Sequence, residues 1–251
     1  EDVQVNFDGI TYAKGGSVLK QLVAWVGLEA FMRGLAEYFR KHAYGNTELS
    51  DLLVELEAAS GRDLSGWAAQ WLETAGVNTL RPQIETTQDG IVTAFTIEQT
   101  ATADYPTLRP HRIAVGFYAE RKGRLQRIHR VELDIDGAST PVPQLVGHQR
   151  PDLILLNDDD LAYAKIRLDE QSTKVALAGL SRIEDPLARA LVWGAAWDAT
   201  RDGETPASDY VELVLANIGA ETESTTVRLA LAQLAQAVRT YVAPERRDVR
   251  A

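Results

Sequence analysis

Thr11-Tyr12-Ala13-Lys14-Gly15-Gly16-Ser17-Val18-Leu19 is the stretch on which the reading of the chain turns. It opens a helix over about residues 8 to 26, in which Val18, Leu19, Leu22, Val23 and Val26 form one stripe and Asp8 or Thr11 stands ready to cap. A tyrosine sits in the first turn. Two adjacent glycines follow it, each costing a helix roughly 1 kcal/mol relative to alanine. Such a pair predicts a close approach to that backbone by something else.

Working outward, residues 1 to 79 read as helices. Phe31, Leu35, Tyr38, Phe39 and His42 mark a second helix. Tyr44-Gly45-Asn46-Thr47 gives a stop, a turn and a new cap. Leu49, Leu52, Leu53 and Leu56 mark a third helix, ending at Ser60-Gly61. A fourth starts at Asp63 or Ser65, carries Trp67 and Trp71 one turn apart, and stops at Gly76. The period changes at Pro82. Phe95 and Ile97, then Ile113, Val115 and Phe117, then Val131, Leu133 and Ile135 alternate with polar residues. Lys122-Gly123 reads as a hairpin turn, Leu153 to Leu156 as a buried run, and Tyr163 to Leu168 as the last strand. About seven strands over residues 82 to 168 predict a β-sandwich, placed at residues 80–169. Helical period returns in residues 170–251. Asp185-Pro186 forms a cap and first turn, and Leu187, Leu191 and Ala195 a stripe. One helix runs over about Ser208 to Ile218. The last begins near Ser224, with Val227, Leu231, Leu234, Val238 and Tyr241 on one face and Pro244 at its end. These predict stacked helix pairs without a strict repeat.

The chain has 251 residues, a net charge of −10 and no cysteine. An acidic balance argues against a nucleic-acid surface, which needs clustered Lys and Arg. Absent cysteine excludes a disulfide framework and thiolate metal ligands, and fits a cytoplasmic location. No stretch approaches the roughly 20 apolar residues of a membrane span. The opening Glu1-Asp2-Val3 shows no signal peptide and no initiating methionine, the start expected of a processed or excised chain.

A search for chemistry gives few candidates. His42, His111, His129 and His148 have no metal-ligand spacing, so they read as structural and no metal ligand is assigned. There is no nucleophile elbow, phosphate loop or dinucleotide fingerprint. Asn157-Asp158-Asp159-Asp160 lacks the spaced ligands of a calcium loop and reads as a plain polar turn. Trp67 and Trp71 read as core. Tyr12 remains: a neutral phenol is one O–H donor, able either to satisfy a buried partner or to steady a developing oxyanion.

The first stretch resembles the tyrosine-bearing helix of the aminopeptidase N family of zinc peptidases, at Tyr12, Lys14, Gly15, Gly16, Val18 and Leu19. The order continues with Tyr38-Phe39, Tyr44-Gly45-Asn46-Thr47, Asp51-Leu52, Trp67, Trp71-Leu72 and Gly76. It ends with Asn157 to Asp160 and the Tyr163 to Asp169 strand. The resemblance implies a multidomain fold: the helical end of a thermolysin-like catalytic domain, a β-sandwich, then a solenoid-like α-helical array. It implies that Tyr12 is catalytic, hydrogen-bonding the tetrahedral intermediate opposite a zinc ion. The family's His-Glu-x-x-His and Gly-x-Met-Glu-Asn motifs do not occur here, so Tyr12 alone is carried over. Gly16 replaces an alanine often found there, and the helical array is shorter than the family's.

The expectation is a C-terminal portion of a zinc aminopeptidase acting on peptide substrates, with the zinc held elsewhere in the parent protein and none in this stretch, which alone is inactive. The sandwich is expected to be a spacer. The alternative is a non-catalytic scaffold or binding module of the same architecture. A related zinc peptidase with added epoxide-hydrolase activity would lack the sandwich, so the strands argue against it. Oligomeric state is not legible.

Overall fold

The computed structural model describes residues 10–246. A π-helical turn, Ile10–Lys14, runs directly into α1 (Gly15–Val26). The expected first helix is therefore present, but its first turn is wound wider. Asp8 lies outside the described residues, and Thr11 falls inside the π turn. Lys14, at the start of α1, makes no side-chain cap. Val18, Gln21, Leu22 and Val26 are buried, while Leu19 is exposed. At about 100° per residue, Leu19 is turned too far from Val18 to share a narrow contact. Among the described residues nothing lies within 4 Å of a Cβ built at Gly15 or Gly16, so the expected close approach is not found there.

It is found one helix later. Gly27 (φ 86°) turns the chain into α2 (Leu28–Lys41), and a Cβ at Gly34 would stand 2.8 Å from the Glu55 carbonyl oxygen. That glycine lets α2 lie against α3 (Leu49–Ser60). The cap of α3 is Glu48, not Thr47, in a reciprocal box with Asp51, and Gly61 closes the helix in the left-handed region. Helix α4 (Trp67–Leu72) begins after Ser65 and ends before Gly76, which instead bends the following link against Tyr105. Trp67 and Trp71 are buried with Val18, Leu22, Val26, Leu56 and Leu64, a small core belonging to the N-terminal helices.

Seven strands follow: β1 (Thr79–Thr86), β2 (Val92–Thr100), β3 (His111–Arg121), β4 (Arg124–Ile135), β5 (Ser139–Pro141), β6 (Leu153–Asp158) and β7 (Lys165–Ile166). They form two sheets, in the orders β5-β2-β1-β7 and β4-β3-β6. Pro82 lies inside β1 rather than before it. It is tolerated because β7 pairs in parallel only with Thr79 and Leu80, so a proline at 82 removes no bond to that neighbour. The last strand is thus much shorter than Tyr163 to Leu168. Lys122 and Gly123 both have positive φ (53° and 78°), as the tight turn between β3 and β4 demands. Every residue of β6 is buried, because this strand pairs in the sheet and also packs against the helices that follow.

Those helices are α5 (Glu170–Gly179), α6 (Pro186–Arg201), α7 (Ala207–Asn217) and α8 (Ser224–Gln236), which ends in a π turn, Ala237–Tyr241. Asp169 caps α5 and Asp185 caps α6 ahead of Pro186. The expected stripes hold in part: Ala195 is buried, and Leu191, Leu234 and Val238 pack against the core. Leu187 and Leu231 are exposed, whereas their neighbours Ala188 and Ala230 are buried. One apolar core runs from Leu80 to Val242, so the change from sheet to helix near residue 170 is not a break in packing. The N-terminal helices have their own apolar core, and hydrogen bonds that involve Lys20, Gln21, Arg62 and Arg109 cross from them to the sheets and their loops.

Candidate active site

Tyr12 stands in the π turn ahead of α1 with 71% of its surface open. Its placement depends on what holds α1. The helix packs against β3, and its inner face carries one polar residue among apolar ones. Gln21, only 1% exposed, accepts the backbone N–H of Tyr163 through its side-chain oxygen at 2.9 Å. Next to it, the Lys20 ammonium donates to the Asp160 carboxylate at 3.0 Å and to the Asp159 carbonyl at 3.3 Å.

The partners of Lys20 and Gln21 belong to the turn after β6, and this turn is more than a polar linker. Asn157, Asp159 and Asp160 all have positive φ (54°, 69° and 55°), a conformation that Asn and Asp tolerate better than most residues. The Asn157 amide closes the loop at both ends, donating to the Ala162 carbonyl at 2.8 Å and accepting its N–H at 2.9 Å. Asp158 is fully buried and accepts from the Tyr118 hydroxyl and the Arg127 guanidinium, each at 2.9 Å. Burial pushes its carboxyl above the usual range despite those bonds. A Cβ at Gly116 would overlap Asp158 Oδ2, so glycine makes the room. Asp159 accepts from Arg127 at 2.7 Å and Arg130 at 2.6 Å; against its partial burial, these bonds hold its carboxyl below the usual range.

A second polar node lies where α4 meets β3. Among the described residues the buried Arg109 guanidinium pairs with no carboxylate. It donates to the Gln70 carbonyl at 2.7 Å, the Thr74 hydroxyl at 2.6 Å and the Ala75 carbonyl at 2.8 Å, and sits 5.3 Å from the Trp71 ring. Asn78 Oδ1 accepts the Arg109 N–H and faces His111 Nε2, both at 3.3 Å. Burial, then the nearby Arg109 charge, push the His111 imidazole down to about 3, so it is neutral.

The remaining histidines stay apart from Tyr12's helix in role. His42 ends α2 against Tyr38, with ring centroids 5.5 Å apart. His129 and His148 stack at 4.2 Å beside Phe117. Among the described residues, no group of three or more His, Cys, Asp or Glu side chains is placed to hold a metal. The donor set here does not fit a zinc site. The Tyr38 hydroxyl and the Thr47 hydroxyl meet at 2.6 Å, so two separate pieces of the sequence pattern are joined in space. Gln21 and Arg109 were not singled out from the sequence, and Asp158 was read only as part of a polar turn. For Gln21 a signal existed, a polar residue on the stripe of Val18, Leu22 and Val26. For Asp158 it was an acid ending an apolar strand. For Arg109, in a loop, there was none.

Comparison with known proteins places these features in a family context. Residues 1–94 match the Peptidase family M1 domain and residues 153–251 match the ERAP1-like C-terminal domain. The chain is 56% identical to aminopeptidase N of Streptomyces lividans over 99% of its own length and 30% of that protein's. It is 40% identical to aminopeptidase N of Lactococcus lactis over 34% of its own length and 10% of that protein's. In structure it is similar to Legionella pneumophila aminopeptidase A solved with aspartic acid, with a TM-score of 0.61 at 16% identity, covering 97% of this chain and 29% of that one. The chain thus spans less than a third of the length of the relatives it matches.

Proposed function

We propose, from the premise that this chain belongs to the aminopeptidase N family, that it is the C-terminal portion of a zinc-dependent aminopeptidase and supplies that enzyme with Tyr12 as its transition-state hydrogen-bond donor. The observation that supports the reading is the placement of Tyr12: a largely exposed tyrosine just ahead of a helix whose middle is held by a buried amide and an ion pair. The phenol O–H donates to the oxyanion that forms as water adds to a scissile carbonyl, an interaction stronger in the transition state than in the ground state. Zinc, the family's metal, would polarise that carbonyl. Among the described residues no side-chain set fits it, and we place its ligands elsewhere in the parent protein. The N-terminal helices are read as the end of a thermolysin-like catalytic domain, and the C-terminal helices as an array that shapes peptide access. No helix of the described residues is long and apolar enough to cross a membrane.

The test is peptide turnover by the full-length protein beside its Tyr12→Phe variant. A fall in kcat of about 10²–10³ with KM little changed is expected for loss of one oxyanion donor. Full turnover by Tyr12→Phe would reduce the phenol to packing, and a full-length protein with no turnover would favour a scaffold. The isolated 251-residue chain is expected to turn over no peptide.

A further inference from the structure

We infer that Gln21 is a positioning residue for Tyr12, and that the turn from Asn157 to Tyr163 is the anchor it holds. The sheets are then part of the catalytic apparatus, not a spacer. The inference rests on the reading of Tyr12 given above.

Three observations lead to it. First, a glutamine only 1% exposed on an apolar helix face is costly unless bonded, and the bond Gln21 makes is to a backbone N–H from a different layer of the molecule. It therefore fixes α1 in both rotation and translation, which apolar contacts alone do loosely. Second, the anchor is itself rigid. Asn157 ties the loop to Ala162 by two hydrogen bonds, and Asp158 is locked beneath it by Tyr118 and Arg127 in the space left by Gly116. Third, Lys20, adjacent in sequence, reaches the same turn at Asp159 and Asp160. Two consecutive residues of α1 thus grip one turn.

Gln21 lies nine residues beyond Tyr12, about 13 Å along a helix at roughly 1.5 Å per residue. Close-packed helices move as units, so a slip at Gln21 reappears at the phenol. A misplacement near 1 Å costs about 10²-fold when a donor must meet a transition state.

A cycle of variants in the full-length enzyme tests this. Gln21→Met keeps the side chain's length and removes the acceptor. It is expected to lower kcat about 10-fold with KM within about twofold, and to do so only while the phenol is present. In the Tyr12→Phe background the same substitution should change kcat by less than about twofold, because both act through one contact. Lys20→Met, on the surface and no threat to folding, should cost about threefold and be equally silent without the phenol. Bound zinc and Tm are followed in every variant. Gln21→Met or Lys20→Met losses that persist undiminished in the Tyr12→Phe background, or a folded Gln21→Met at full kcat, overturn the inference while leaving Tyr12's role intact. A Tyr12→Phe enzyme of full activity removes the reading beneath it as well.

Discussion

The Arg189 guanidinium donates to the Glu221 carboxylate at 2.9 Å with the two side chains only 9% and 2% exposed, joining α6 to the segment that starts α8. The carboxylate also accepts the Trp193 indole N–H at 3.1 Å and the backbone N–H of Thr222 at 2.9 Å, so few of its lone pairs are idle. Removing one partner strands the other charge. Glu221→Ala is expected to destabilise by about 3–5 kcal/mol, whereas the double variant Arg189→Met/Glu221→Leu should recover much of that, since no charge is then left buried. Midpoints of urea unfolding for the three variants decide it. Equal losses in the single and double variants would contradict the account.

The same carboxyl makes a pH prediction. Burial works against its ionisation, but the bonds from Arg189, Thr222, Glu223 and Trp193 win and hold it down to about 2. A depressed folded pKa means stability that is present above the unfolded value, near 4.3, and lost as pH falls through 4 toward 2. Tm plotted against pH should therefore drop in that window, and the drop should shrink in the Arg189→Met/Glu221→Leu variant.

His111 acts in a higher window. Its imidazole is pushed down to about 3 by burial and then by Arg109, while the unfolded chain titrates near 6.5. Below pH 6.5 the unfolded state takes up a proton that the folded state refuses, so stability falls as pH falls. Between pH 6.5 and 5 this amounts to about 2 kcal/mol, at 1.36 kcal/mol per pH unit. A His111→Gln variant can still donate to Asn78 and should be nearly flat over that range. Parallel slopes for the two proteins in a pH series of urea melts would assign the effect elsewhere.

Arg109 carries the joint between α4 and β3. Its planar fork meets carbonyls and a hydroxyl near the end of that helix, where a cation is favoured. Arg109→Lys keeps the charge and loses the fork, so it is expected to cost about 2–3 kcal/mol. Hydrogen exchange should then show lost protection in α4 and the link to β1, with the sheets little changed. Uniform loss across the molecule would mean that Arg109 supports more than this joint.

Local structure was legible wherever one short stretch decided it. Lys122-Gly123 predicts its turn because both residues must take positive φ, and Asp185-Pro186 its helix start because cap and proline act within one turn. Leu153 to Leu156 reads as a short buried run, and it lies in a strand buried throughout, against which helices α5 and α6 pack. The grip on α1 was not legible. Gln21 meets a residue 142 positions away, and no pattern in either segment names the other. The aspartates after β6 read as a polar turn because periodicity describes which side a residue faces, not which arginine comes to meet it. Leucines at helical spacing misled for a related reason. In the C-terminal helices Ala188 and Ala230 are buried, while Leu187 and Leu231, one position away, are exposed.

The glycines supply the final prediction, and the two cases run in opposite directions. Gly16 is helical, has no left-handed φ, and nothing stands within 4 Å of where a Cβ would go. Gly16→Ala should therefore stabilise the chain by about 0.5–1 kcal/mol, through helix propensity alone. Gly34 is helical too, but a Cβ there would stand 2.8 Å from the Glu55 carbonyl oxygen and 2.9 Å from the Leu56 side chain. Backbone on the far side cannot yield as a flexible side chain can, so α2 and α3 must part, at a cost of about 1–3 kcal/mol that outweighs the propensity gain. Urea midpoints of the two variants should thus move apart, Gly16→Ala up and Gly34→Ala down. A Gly16→Ala variant of the full-length enzyme carries a second readout: unchanged kcat is expected if the backbone before Ser17 is free, and a large fall in kcat would show that substrate or another part of the enzyme presses against it.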